Sequence, residues 1–315
     1  HLALAQMLLA RGEMNAGWIE YEWRNDLDMA RGTLPRFTSA QWNGMRLPGK
    51  VLLISDQGFG DAIQFARFIP SAAERCAEIL LACTPELMSI LSPISGVSTC
   101  LTRWEEVPGH SAHIRLSSLP YVLHTRLDEG VSAAGAYLKA PADRVEAWKR
   151  QLDSQLAPGK RVGFAWAGRP THPNDRRRTL KLASLMPLLK QPNIRWVSLQ
   201  TPIPAADTAD FAACGALDLS AALTDFGETA AVIANLDLVI TVDTAVAHLA
   251  GALGHPVWLM IPEPADWRWM LGRQDSPWYP SMRLFRQDVP GGWDKVVSEV
   301  GKALKGLRGT KRGKR

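Results

Sequence analysis

Apolar and polar positions along the chain repeat one plan twice. A short apolar run rich in β-branched residues is followed by a polar turn, and then by apolar positions at helical spacing. The more regular copy spans residues 237 to 256. Residues 238–242 form an apolar, β-branched run of the kind expected of a parallel strand buried on both faces, and residues 256–261 form a second. Between them, Val246, Leu249, Ala250 and Leu253 keep helical spacing. Asp243 or Thr244 can cap that helix, and Gly254 with Pro256 ends it. The other copy opens at Val51-Leu-Leu-Ile54, passes through Ser55-Asp-Gln-Gly58-Phe-Gly60-Asp61, and enters a helix at Ala62-Ile-Gln64-Phe65.

In an open α/β sheet the carboxyl ends of the strands are where ligands bind, and the start of a helix favours an anion such as phosphate. Asp61 and Asp243 each sit at such an end, where each also reads as an ordinary helix cap or dipole partner. Gly58 and Gly60 supply a G-x-G, but Ile63 holds the third glycine position of a dinucleotide fingerprint. No acidic residue ends the next strand, so NAD binding is not expected.

Taken in order, residues 2–26 read as two amphipathic helices joined by a short turn. Residues 27–48 lack periodicity and read as a surface linker. Strands are expected at 79–83 and 112–116, and a polar helix at 141–156. The hinge is at Pro158-Gly159-Lys160. A second α/β unit opens with Arg161-Val-Gly-Phe-Ala-Trp166 and runs into a basic loop containing Arg176, Arg177 and Arg178. Strands follow at 194–200 and 217–219, a helix at 226–235, an aromatic, Pro-rich loop through 262–280, and a closing helix at 292–306. His113 and His124 have no neighbours at metal-ligand spacing and read as structural.

Composition narrows the function. The chain has 315 residues, 46% of them hydrophobic, enough for about two cores. Its formal charge of +5 equals the five charges of Arg308, Lys311, Arg312, Lys314 and Arg315, which leaves a body near neutral and no case for specific nucleic-acid binding. Cys76, Cys83, Cys100 and Cys214 show neither a C-x-x-C pair nor zinc spacing. Apolar runs fall short of the ~20 residues of a membrane span, and no signal peptide is visible, so a cytoplasmic location is expected.

Five segments together carry a resemblance: Gly17-Trp-x-x-Tyr-Glu-Trp-Arg24, Gln57-Gly-x-Gly-Asp61-x-Ile-Gln64, Trp166-Ala-Gly168 with Asn174-Asp-Arg-x-Arg178, Val242-Asp-Thr-Ala-Val-Ala-His248 through Gly254, and Asp266-Trp-Arg-Trp269 with Ser276-Pro-Trp-Tyr-Pro280. In these the chain resembles bacterial tetratricopeptide-linked GT-B glycosyltransferases, which are related to lipopolysaccharide heptosyltransferases and more distantly to O-GlcNAc transferase. The resemblance implies an α/β fold of GT-B type, with two Rossmann-like domains facing a cleft. It divides the chain into a tetratricopeptide-like hairpin at 1–28, an acceptor-side domain at 29–157, a nucleotide-sugar-binding domain at 158–306 and a basic disordered tail at 307–315.

By the same resemblance, Asp61 is the general base on the acceptor hydroxyl. Arg178, with Arg176 as second choice, neutralises the leaving phosphate. Asp243, Thr244, Ala245 and His248 hold the donor, while Gly60, Gln64, Trp166, Gln200, Asp266 and Trp267 wall the donor or acceptor. Glycosyl transfer needs a stabilised diphosphate and a deprotonated hydroxyl. An arginine and a helix terminus can supply the first without a metal, and no Asp-x-Asp motif is present. The reading is therefore metal-independent transfer with no cofactor, a nucleotide-sugar as co-substrate, and a protein or glycan acceptor. The aromatic loop at 266–280 and the repeat hairpin depart from heptosyltransferases, and a repeat module suits a protein acceptor. Two alternatives stay open at this point: a catalytically silent repeat-linked binding module, and a nucleotide-sugar isomerase or hydrolase on the same fold.

Overall fold

The structure is a computed structural model that describes residues 1–27, 37–126, 135–172 and 174–306. The tail expected at 307–315 lies outside the described residues, as do residues 28–36 of the expected linker and the boundary placed at 28–29.

Two five-stranded, wholly parallel sheets form the scaffold. The first has the order β1-β5-β2-β3-β4, built from β1 Ala40–Gln41, β2 Leu47–Ile54, β3 Cys76–Ala82, β4 Val97–Leu101 and β5 Ala112–Arg115. The second has the order β10-β9-β8-β6-β7, built from β6 Lys160–Ala165, β7 Ile194–Ser198, β8 Leu238–Val242, β9 Val257–Ile261 and β10 Met282–Arg286. Chain direction across the sheet reverses between β2 and β5 in the first and between β6 and β8 in the second. A crevice opens at such a reversal, outside the carboxyl ends of the strands. The Gly-rich turn leaves β2, the basic loop leaves β6 and Asp243 leaves β8, so both crevices are furnished with polar groups.

Why the sheets lie where they do follows from burial. All five residues of β8 and all five of β9 are buried, as strands covered on both faces require. One contiguous apolar cluster runs from Trp18 through Ile63 and Phe65 to Val239, Ala247 and Trp267, so a single core joins the N-terminal helices and both sheets. The outer face of the second sheet packs separately on the closing helix Trp293–Gly306 through Phe164, Trp196, Val296 and Val300.

The N-terminal helices Leu2–Ala10 and Met14–Tyr21 are docked on this core. Trp18, 2% exposed, meets Phe65, Trp267 and Trp278 edge-on at centroid distances of 6.2, 5.4 and 6.4 Å. A buried polar clamp secures the next turn. Arg24 donates to the Ser117 and Ser118 hydroxyls at 2.5 and 2.7 Å, and Ser117 in turn donates to Asp56 at 2.5 Å. Tyr21 donates from its hydroxyl to the Gln57 side chain at 3.1 Å. Gln57 itself takes the left-handed conformation, with φ of 65°, that turns the chain toward Gly58. The docked helices thereby brace the Gly-rich turn.

Several expectations need correction. The expected surface linker, where described, contains β1, which pairs with β5, and Trp42 is buried. Residues 217–219 form no strand; Leu217 makes only an isolated bridge to Val197. The loop after β6 contains a single helical turn, Asp175–Arg178. Neither Asp243 nor Thr244 caps the helix Ala245–Ala252 through its side chain; the Thr244 hydroxyl shares a hydrogen bond with Thr241 at 3.3 Å instead. His113 is a structural residue, bonded to Ser39 at 2.9 Å and set against Phe37.

Candidate functional site

The carboxyl ends of β2 and β8 face each other. The helix Phe59–Phe65, after β2, packs on the helix Ala245–Ala252, after β8. There Gly60 lies against the His248 ring, and a methyl group on Gly60 would come within 2.8 Å of it. Glycine at 60 is what lets the two turns meet.

A layer of half-buried polar side chains surrounds this junction, Asp61, Arg178, Asp243, Thr244 and Asp266, with the half-buried Ala245 opening the helix among them. Beneath it lies a buried floor of Gln64, Arg67, His248, Arg268 and Tyr279. Arg268 ties the two layers together. It forms an ion pair with Asp61, donates to Asp266 at 2.9 Å, and donates from Nε to Gln64 at 2.5 Å. Its guanidinium also lies 4.3 Å from the centroid of the Trp267 ring. Arg67 stands on the other side of the floor, donating to the Trp278 carbonyl at 2.8 Å and lying 4.7 and 5.0 Å from the Tyr137 and Tyr279 rings.

Electrostatics differ between the two central carboxylates. Burial raises the Asp61 carboxyl above its ordinary range; Arg268 and the Gly58 N–H pull against that rise, and Asp266 and Asp56 add to it. Its Oδ2 accepts from Gly58 N at 3.0 Å, so Asp61 is also the cap of its helix. Asp243 is pushed up to about 6, by burial first and then by the charge of Asp266, while Arg178 and Arg268 lower it. Asp243 binds its proton more tightly folded than unfolded. Its contribution therefore opposes folding fully above pH ~6 and is relieved as pH falls toward the ordinary carboxyl value. His248 shares a hydrogen bond with the Tyr279 hydroxyl at 2.8 Å and lies 3.9 Å from Asp243. Burial, then the charges of Arg268, Arg67 and Arg178, hold its pKa well below the ordinary histidine value, so the ring is neutral.

Arg178 closes the site on the basic-loop side. It packs so tightly on the chain that a methyl on Gly168 would come within 2.7 Å of its Nε, and that Nε has no hydrogen-bond partner among the described residues. Asp175 is 3.6 Å away. Arg176 is exposed.

The structure thus brings Asp61, Gly60, Gln64, Arg178, Asp243, Thr244, Ala245, His248 and Asp266 together, and buries three expected wall residues in the core, Trp267 directly against Arg268. Trp166 is fully buried, stacked at 5.4 Å on Phe164 and at 6.0 Å on Phe211, with its indole N–H donated to Asp207 at 2.7 Å. Gln200 is a buried strut whose Oε1 accepts from Trp166 N and Ala167 N at 3.2 and 3.1 Å. Trp267 is sealed among Trp18, Tyr21 and Trp278. Each is core, because its apolar surface or its amide is already spent on neighbours. Sequence reasoning passed over Arg268, Arg67 and Tyr279. Arg268 and Tyr279 lie in visible motif segments and Arg67 does not, and the bonds of Arg268 to Asp61 and Gln64 and of Arg67 to the Trp278 carbonyl span 207, 204 and 211 residues. Among the described residues no group of three or more His, Cys, Asp or Glu could hold a metal ion, and no helix is long and apolar enough to cross a membrane.

Comparison with known proteins bears on the fold and on one segment of the chain. The profile of glycosyltransferase family 9 (heptosyltransferase) matches residues 209–258, the segment holding Asp243, Thr244 and His248. Protein FlbA of Caulobacter vibrioides is 29% identical over 338 aligned residues, which take in 96% of this chain and 54% of FlbA. The chain thus spans about half the length of that curated relative. Among solved structures, the glycosyl transferase family 9 protein from Veillonella parvula superposes with a TM-score of 0.57 at 12% identity, covering 81% of this chain and 92% of that one. ADP-heptose lipopolysaccharide heptosyltransferase II of E. coli gives 0.51 at 12% identity, covering 81% and 99%. E. coli heptosyltransferase WaaC with ADP-2-deoxy-2-fluoro heptose also gives 0.51, at 13% identity, covering 82% and 99%. The fold is the one these transferases share. The family 9 match falls on the β8 segment of that shared fold.

Proposed function

We propose that this chain transfers a sugar from a nucleotide-diphosphate donor to a hydroxyl of a protein acceptor without a metal ion. The observation that carries the reading is the convergence of Asp61, from the first sheet, with Arg178, Asp243 and His248, from the second, at the junction of the two crevices. The diphosphate lies against the half-buried guanidinium of Arg178 and against the N–H groups that open the helix Ala245–Ala252. Asp243 accepts hydrogen bonds from the sugar, and Asp61 takes the proton of the incoming hydroxyl. The acceptor oxygen then bonds to the anomeric carbon as the carbon–oxygen bond to the diphosphate breaks. Charge left on the diphosphate is met by a preorganised cation and helix dipole, which cost no rearrangement at the moment of reaction. The docked N-terminal helices are read as part of a tetratricopeptide repeat that presents the protein acceptor to Asp61. A cytoplasmic site of action fits a soluble donor.

The donor half of this reading has a direct test. Arg178→Ala is expected to weaken nucleotide diphosphate binding by about 1.5–3 kcal/mol, the range for a hydrogen bond to a charged group. Arg178→Lys should recover only part of this, because a point charge does not replace a guanidinium fork. Calorimetry with ADP, UDP, GDP and CDP measures it, with circular dichroism confirming the fold. Unchanged affinity in Arg178→Ala would move the role to another cation, first Arg176. Donor affinity should also fall as pH drops through about 6, where Asp243 takes up its proton and loses the charge that strengthens its hydrogen bonds from the sugar. A flat affinity between pH 5 and 7.5 would remove Asp243 from the donor site.

A further inference from the structure

We infer that Arg268 is the positioning residue for Asp61: reaching from the second sheet to the first, it holds that carboxylate in one orientation and one charge state. The inference rests on reading Asp61 as the base. Arg268 is itself immobilised. Its guanidinium is 4.3 Å from the centroid of the Trp267 ring and 5.9 Å from that of Phe65, Nε is bonded to Gln64 at 2.5 Å, and one terminal nitrogen is bonded to Asp266 at 2.9 Å. The other terminal nitrogen is thereby aimed at Asp61 Oδ1, with which it pairs. Oδ2 of the same carboxylate accepts from Gly58 N at 3.0 Å, so both oxygens are fixed, one by each sheet's elements. A lysine has no fork with which to bond Gln64, Asp266 and Asp61 at once.

The charges around Asp61 make this partner necessary. Asp56 faces it from its own turn, Asp266 from the aromatic loop, Tyr21 from the N-terminal helices and His172 from the basic loop, with His248 against the neighbouring Gly60. Burial and the two flanking carboxylates favour the protonated acid, which cannot act as a base. Arg268 is the nearest opposing charge and is held protonated: burial works against its charge, but Asp266 and Asp61 outweigh burial. Without Arg268, Asp61 would hold its proton to higher pH.

The test reads the carboxylate itself, so it needs neither donor nor acceptor. The protein is labelled with 13C at aspartate Cγ, and the Asp61 resonance is assigned by its loss in Asp61→Asn. Its titration midpoint is then compared in wild type, Arg268→Gln, Arg268→Met and Arg268→Lys. Methionine fills the slot between Trp267 and Phe65 with an unbranched apolar chain and serves where the glutamine variant does not fold. The expected result is a midpoint raised by about one pH unit or more, tenfold in proton affinity, in the neutral variants, since an adjacent opposite charge moves a carboxyl by ~1–3 units. The lysine variant should shift less. A midpoint in the folded neutral variants equal to wild type would overturn the inference and reduce Arg268 to packing. Wild-type turnover in Asp61→Asn would instead overturn the reading of Asp61 as base, leaving the titration result intact.

Discussion

Asp61→Asn is expected to lower kcat for sugar transfer by roughly a hundredfold or more, the usual consequence of losing a general base, while donor affinity stays within a few fold. The split follows from the geometry. Asp61 stands on the turn after β2, whereas the groups assigned to the donor, Arg178 and Asp243 through His248, follow β6 and β8. Asparagine keeps the size of the side chain and an oxygen for the Gly58 N–H, so the helix start is preserved. What changes is the proton acceptor and the charge facing Arg268, which keeps Asp266 as its counter-ion. Release of nucleoside diphosphate under saturating donor, with the dissociation constant measured separately, checks both halves. Loss of donor affinity in step with kcat would place Asp61 on the donor instead, and an unchanged kcat would leave it as a helix cap.

Trp18→Ala should cost about 3–5 kcal/mol of stability, the range for truncating a large aromatic in a packed core. Trp18 is the point where three parts of the chain meet: it touches Phe65 below the first sheet's Gly-rich helix and Trp267 and Trp278 in the loops that follow β9. An alanine there leaves a cavity against three other aromatic rings, none of which can relax without disturbing Arg268, which lies on Trp267, or Arg67, which lies on Trp278. Chemical denaturation measures the loss, and the smaller change Trp18→Phe should cost less. A cost under about 1 kcal/mol would show the N-terminal helices to be an appendage, because substitutions outside such packed positions stay near ±0.5 kcal/mol.

The parts of this molecule that were legible in the sequence are those whose physics is local. β8 and β9 are buried on both faces, so they read as unbroken apolar runs, and the helix between them is bounded by its own stop residues. Edge strands hide. β4, Val97-Ser-Thr-Cys-Leu101, is half-exposed and polar in its middle, and β10 alternates Met282-Arg-Leu-Phe-Arg286 directly after a Pro-rich loop, so neither shows the apolar signature. The candidate site divides along the same line. Asp61 and Asp243 were legible as residues of the turns that follow strand ends, and the choice of Arg178 within the basic loop after β6 came from the family resemblance. Arg268 was not, because its partners Asp61 and Gln64 are 207 and 204 residues away in sequence and share no period with it. Trp166, Gln200 and Trp267 were misplaced for the converse reason. An aromatic or amide beside a strand end can face either the crevice or the core, and only packing against Phe211, Ala167 or Trp18 decides which.

The central claim, that the junction of the two sheets binds a nucleotide-sugar, is tested most directly by thermal shift of the wild-type protein against ADP-, UDP-, GDP- and CMP-linked sugars, repeated with Arg178→Ala and Asp243→Asn. A ligand that binds only the folded state adds about 2.7 kcal/mol at a hundred times its dissociation constant, enough to raise Tm by several degrees. The account predicts that one nucleotide class stabilises the wild type and that this shift largely disappears in both variants, each measured against its own unliganded Tm and shown by circular dichroism to be folded. It is contradicted if no nucleotide-sugar shifts the wild type, or if the shift survives undiminished when both Arg178 and Asp243 are replaced.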